Sequence, residues 1–86
     1  MTGEEQKVTV QIFGEVHVIR GKGSAEYIKS LAADVDKRMK EIARRFPHLP
    51  AHHIAILAAL NLADELAKLK EEQNTLMDML GEKDFG

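Results

Sequence analysis

The amino-acid sequence predicts an α+β fold: a small head of a β-hairpin plus one helix, followed by a long C-terminal helix that forms an intermolecular coiled coil. Three observations carry this reading. Residues 7–20 alternate β-branched apolar side chains with polar ones on both sides of a glycine. Residues 24–46 switch to apolar spacings of three and four. Beyond the Pro47–Pro50 break a second helical pattern sets leucines in heptad steps as far as Leu80. The expected organisation is a disordered leader (1–6), the hairpin and first helix of the head (7–50), a dimerisation helix (51–80) and a frayed tail (81–86).

In the stretch from Lys7 to Phe13, Val8, Val10 and Ile12 fall on one side and Thr9, Gln11 and Phe13 on the other. Period-two alternation with β-branched residues is the pattern of a half-buried strand. Gly14 and Glu15 are read as a tight turn, and Val16 to Arg20 as the second strand of a hairpin. A lone hairpin is not stable in water and must lie on something. The next element supplies a surface for it. Ser24 is a good N-cap, and Glu26 in the first turn complements the helix dipole. From there Tyr27, Ile28, Leu31, Val35, Met39, Ile42 and Phe46 form the apolar stripe of an amphipathic helix. Its last turn is basic.

Pro47-His48-Leu49-Pro50 ends that helix, and Pro50 suits the start of another because its missing N–H is not needed there. From about Ala51 to Leu80, at about 1.5 Å per residue, the second helix spans roughly 45 Å. A compact chain of this size has a radius of gyration of only about 12 Å, so the helix must project beyond the head. Ile54 to Ala63 is apolar almost all round, the mark of a helix covered on several sides. Leu62, Leu66, Leu69, Gln73, Leu76 and Leu80 then step by four and three, a heptad seam with one polar interruption. Ala55 and Ala59 extend it backward with small side chains. The expected self-association residues are Ile54, Leu57, Asn61, Leu62, Leu66, Leu69, Gln73, Leu76 and Leu80. Asn61, inside the apolar run, either pairs across a helix interface and fixes register or faces solvent. A seam of this kind left bare would be a long apolar stripe, which soluble proteins avoid.

Composition narrows the function classes. A chain of 86 residues is one domain, of a size that often gains stability by oligomerising. It has no cysteine, which rules out disulfides and thiolate metal sites. With 14 acidic and 12 basic residues and a formal charge of −2, it lacks the basic excess of a nucleic-acid binder. No membrane-length apolar run occurs, and the polar, acidic residues Met1 to Lys7 do not resemble a signal peptide, so the cytoplasm is the expected location.

Little in the sequence points to catalysis or metal binding. His48, His52 and His53 cluster at the interhelix turn, but the adjacent pair project about 100° apart on a helix and no carboxylate stands at ligand spacing. They read as polar surface and turn residues, and no metal or cofactor is expected. Ser24 is explained as a cap, no nucleophile motif or phosphate loop is present, and the paired carboxylates lie on a solvated helix face. The chain reads as a non-enzyme. The basic cluster Lys37, Arg38, Lys40, Arg44 and Arg45 is either a docking patch or an ordinary solvated helix end.

Three segments in order resemble the ZapA family of bacterial cell-division proteins. They are Val8-Thr9-Val10-Gln11-Ile12-Phe13-Gly14, then Leu31 to Met39 (LAADVDKRM), then Ile56 to Leu66 (ILAALNLADEL), which is similar to the family's AALN-x-x-x-EL signature. The resemblance covers roughly Lys7 to Leu80. It implies a cytoplasmic protein at the mid-cell division ring that binds polymers of FtsZ, the tubulin-like GTPase, and cross-links or aligns its protofilaments. It implies a homodimer, with a homotetramer formed through the coiled coil in longer members. By position it assigns partner binding to Lys37, Arg38, Arg44, Arg45 and His52. Glu15 departs from relatives with a basic residue after the first-strand glycine, and the short tail weakens the case for a tetramer. The rival is a small dimeric DNA-binding regulator of strand-helix-helix type. The acidic balance, the two-stranded start and the overlong second helix weigh against it.

Overall fold

The structure is a computed structural model that describes the backbone of residues 6–85 and the side chains of residues 6–74. Strands β1 (Gln6–Ile12) and β2 (Glu15–Gly21) form an antiparallel hairpin, followed by helices α1 (Ala25–Arg45) and α2 (Ala51–Phe85). The expected leader and Gly86 lie outside the described residues, apart from Gln6, which opens β1.

The register pairs Val8 with Ile19, Val10 with His17 and Ile12 with Glu15. Directly opposed residues share a face of the sheet, so these pairs face α1, and Thr9–Val18 and Gln11–Val16 face away. Val8 and Val10 are buried against Ile28 and Ala32 of α1. Burial is thus one-sided: every residue of β2 up to Arg20 is exposed, Val16 and Val18 among them.

The hairpin turn falls one residue earlier than Gly14–Glu15. Ile12 pairs with Glu15, so the two turn residues are Phe13 and Gly14, with φ of 52° and 83°. Two-residue hairpins favour positive φ at both central positions because that twist matches the strands. Glycine adopts it at no steric cost, whereas phenylalanine does not. Two contacts hold Phe13 there. Its N–H donates to Asp36 Oδ1 on α1 at 2.7 Å. Its side chain packs against a second cluster, Met39, Ile54 and Ala58, where α1 meets α2.

Ser24 caps α1 as expected: its Oγ accepts the Tyr27 N–H at 3.0 Å, and its carbonyl accepts the Ile28 N–H at 3.0 Å. At the other end the Phe46 N–H still donates to the Ile42 carbonyl before the chain turns. The Pro50 carbonyl accepts from His53 and Ile54, starting α2. That helix has 35 residues against 21 for α1. It does not stop at Leu80 and Gly81 but runs to Phe85. A single glycine costs a helix about 1 kcal/mol relative to alanine and does not end it unless a cap geometry or a proline follows. The radius of gyration, 17.9 Å, far exceeds the compact value of about 12 Å, as a projecting helix requires.

The Phe13 N–H, followed by Lys40, holds the Asp36 carboxyl below its usual range. A depressed carboxyl contributes stability above its unfolded pKa of about 3.9 and loses it as pH falls through the folded value. Thermal melts of the wild type and Asp36→Asn should therefore differ at neutral pH and converge as the pH falls below about 4. A gap that stays constant with pH would contradict a charge-based latch.

Candidate self-association and partner-binding surfaces

On α2 the single chain covers only one narrow face. Ile54 and Ala58, four residues apart, are buried against α1, and Leu57 and Leu62 are half-buried. Ile56, Leu60, Leu66 and Leu69 are all more than half exposed. The block Ile54–Ala63 is therefore not enclosed within one chain. The exposed seam positions Ala55, Ala59, Leu66, Leu69 and Gln73, with half-buried Leu62, lie along one flank of the contact with α1 at heptad spacing. The side chains of Leu76 and Leu80 lie outside the described residues. Asn61 is exposed, beside a groove of about 320 Å³ shared with Ile42, Arg45, Phe46, Leu57, Leu60 and Asp64.

The structure divides the basic cluster. Lys37 and Arg44, seven residues apart, share the exposed face of α1 opposite Ile28, Ala32 and Met39. Lys40 pairs with Asp36 at 3.0 Å. Arg45 lines the groove between the helices. His52 is exposed in the first turn of α2, its ring 6.4 Å from that of His53.

Arg38 is placed differently from the rest of the cluster. Its Nη1 and Nη2 donate to Glu65 Oε2 and Oε1 at 2.6 and 2.9 Å, and its Nε donates to Asp34 at 3.2 Å. This planar fork is a geometry that lysine does not reproduce. The hydrogen bonds to Glu65 lead in raising the Arg38 pKa, and Arg38 in turn lowers the Glu65 carboxyl. The residue ties α1 to α2 just where α2 leaves the head. The Asp34 spacing is legible as an i, i+4 pair, but the partner 27 residues away is not. Asp36 was likewise absent from the expected site residues. Among the described residues, no ion pair involves Lys37, Arg44 or Arg45. Among those residues, too, no group of three His, Asp or Glu could hold a metal ion, and no helix is long and apolar enough to cross a membrane.

The family model described as Cell division protein ZapA matches residues 8–83. The chain belongs to the ZapA family of cell-division proteins. The Cell division protein ZapA of Geobacillus kaustophilus is 40% identical over 87 aligned positions, covering all of this chain and 96% of the relative. That of Halalkalibacterium halodurans is 40% identical over 68, covering 79% and 75% of the two chains. A solved structure, the ZapA mutant dimer from Geobacillus stearothermophilus, is 37% identical, with a TM-score of 0.73 over 93% of this chain and 94% of that one. The fold is thus the ZapA fold, and it gives the family-like segments physical roles. Asp36 and Arg38 come from the second segment, and Ala58 and Glu65 from the third. They supply the hairpin latch, the buried helix contact and the interhelix ion pair.

The fork between Arg38 and Glu65 should show as coupling. In a double-mutant cycle of Arg38→Ala and Glu65→Ala, read by thermal melts at low and high salt, the two losses are expected to be less than additive, with the coupling weakened by salt. Full additivity would mean that the ion pair contributes nothing to the α1–α2 arrangement.

Proposed function

We propose that this ZapA-family chain is a non-enzymatic division accessory protein that binds FtsZ polymers and cross-links or aligns protofilaments at the cytoplasmic mid-cell division ring. In this reading it acts as a homodimer, or as a homotetramer through the long helix, and the head makes the filament contact. The observation that carries the proposal is the uncovered apolar surface of α2. One chain leaves Ile56, Leu60, Leu66 and Leu69 more than half exposed, a surface that a second copy would cover. The similar structure from Geobacillus stearothermophilus is that of a ZapA mutant dimer, which supports self-association here.

Two heads on one particle make it bivalent. Once one head is bound, the second binds a filament at high effective concentration, so weak head contacts suffice. Lys37 and Arg44 supply an exposed cationic face on α1, with Arg45 and His52 at its end toward α2. Arg38, which the family resemblance adds to this set, is held by Glu65 and Asp34 and contributes by fixing α1 against α2 rather than as a free cation. A contact made by exposed cations on an acidic polymer surface weakens with salt.

Co-pelleting with FtsZ polymers, with and without GTP, tests the partner. The wild type is expected in the pellet when polymers form. Lys37→Glu/Arg44→Glu should stay largely in the supernatant with unchanged helical content and mass. Leu69→Glu tests the seam by placing a charge in it: its solution mass should fall below that of the wild type. Wild-type protein left in the supernatant under both nucleotide conditions defeats the partner assignment, and an unchanged mass for Leu69→Glu defeats the coiled coil.

A further inference from the structure

We propose that the free edge of β1 and the adjoining flank of α1 form a groove that takes up an extended acidic segment of a protein partner as a third strand of the sheet. The groove lies on the flank of α1 away from α2 and Leu31. It therefore depends neither on the self-association nor on the FtsZ contact proposed above.

The sheet has two strands, so each keeps one unpaired edge. In an antiparallel ladder, residues that exchange both backbone bonds with the neighbouring strand alternate with residues whose N–H and C=O point away from it. Ile12 and Glu15 close the ladder beside the two-residue turn, which makes Ile12, Val10 and Val8 the bonded positions. Lys7, Thr9 and Gln11 therefore turn their N–H and C=O outward. Phe13 follows the same alternation, and its outward N–H is the one that Asp36 accepts at 2.7 Å. A carboxylate from α1 thus satisfies the edge at its tip and leaves the positions before it open. Among the described residues, no backbone bond outside the regular elements reaches Lys7, Thr9 or Gln11.

Beside this edge there is room for a strand. A groove of about 290 Å³ lies between Thr9 and Gln11 of β1 and Lys29, Ala32, Ala33 and Asp36 of α1. The small Ala32 and Ala33 let another backbone approach the edge, with alternate side chains directed onto the alanines. Beside β2 stand the bulky Tyr27 and Leu31 instead. An extended peptide joining a sheet edge in this way is held by main-chain hydrogen bonds and selected by the side chains around it.

The charges around the groove make the occupant acidic. Asp36 is already matched by the Phe13 N–H and by Lys40 at 3.0 Å. Lys29 lines the groove and is exposed, and Lys7 stands on the same strand edge. Among the described residues, neither takes part in an ion pair. Glu26, one turn before Lys29, offsets one of these cations, while the exposed Lys37 and Arg44 add to them farther along that side of α1. A second copy paired through β1 would set these cations against themselves, whereas carboxylates on a partner strand meet them.

The probe is the end-capped, fluorescein-labelled peptide EVEVEVE, with KVKVKVK as its charge-reversed counterpart. Binding to the full chain is read by fluorescence anisotropy, and amide exchange in β1 by NMR. Without peptide, the Thr9 and Gln11 amides should exchange rapidly while those of Val8 and Val10 are protected. EVEVEVE should bind and slow exchange at Thr9 and Gln11, and KVKVKVK should not bind. Thr9→Pro removes an edge donor, a change that edge strands tolerate, and should abolish binding with the helical circular dichroism unchanged. Lys29→Glu should weaken EVEVEVE binding about fivefold. No binding of EVEVEVE overturns the proposal, as does binding that leaves Thr9 and Gln11 exchanging freely. Protection of Thr9 and Gln11 before any peptide is added also overturns it, because a second copy then occupies the edge. Equal binding of both peptides, or Lys29→Glu binding EVEVEVE as the wild type does, overturns the acidic partner. If Thr9→Pro loses its helical signal, the exchange result and Lys29→Glu decide.

Discussion

A helix of 35 residues cannot be covered by a neighbour of 21 that starts from the same turn. The organisation of this molecule follows from that mismatch. Near the Pro47–Pro50 turn, α2 is held on one side by Met39 and the residues around it, and Ile54 and Ala58 are buried there. Beyond Glu65 it has left the head, yet it still carries leucines at heptad spacing. Burying a leucine is worth about 1.5–3 kcal/mol, so a repeating row of them is a substantial incentive to association. It also sets the geometry, since a heptad repeat favours a helix partner along its length.

The head must then sit at a defined angle to the projecting helix, and three contacts, one in the core and two nearer the surface, do this. The Phe13 N–H on Asp36 ties the hairpin tip to α1. Met39 against Ile54 and Ala58 joins the two helices. The Arg38–Glu65 fork closes the crossing on its solvent side. Each is modest alone, and the ion pair, being largely solvated, is worth less than its short distances suggest. Together they connect hairpin, α1 and α2 through one stretch, Asp36 to Met39. That stretch includes the exposed Lys37, so the element that orders the head also carries an exposed cation.

Much of this was legible in the sequence because periodicity is a local property. The strand alternation from Val8 to Ile12, the Ser24 cap and the proline break all appear where the spacing puts them, whereas of the expected α1 stripe Ile28 and Met39 are buried and Tyr27, Leu31 and Phe46 are exposed in the single chain. The turn was displaced by one residue because no local rule favours phenylalanine at positive φ. The contacts that hold Phe13 come from Asp36 and the second cluster, both distant in sequence. Gly81 misled for the converse reason, since a lone glycine weakens a helix without ending it. Among the basic residues, the exposure of Lys37 and Arg44 follows from the face they occupy, whereas the commitment of Arg38 to Glu65 depends on how two helices cross.

The central claim is that the folded chain depends on a second copy to cover α2. Thermal unfolding followed by circular dichroism across a wide range of protein concentration tests it most directly, because association of folded chains raises the midpoint by mass action. The account predicts a midpoint that climbs steadily with concentration. A midpoint independent of concentration, together with a single-chain mass throughout, would contradict it.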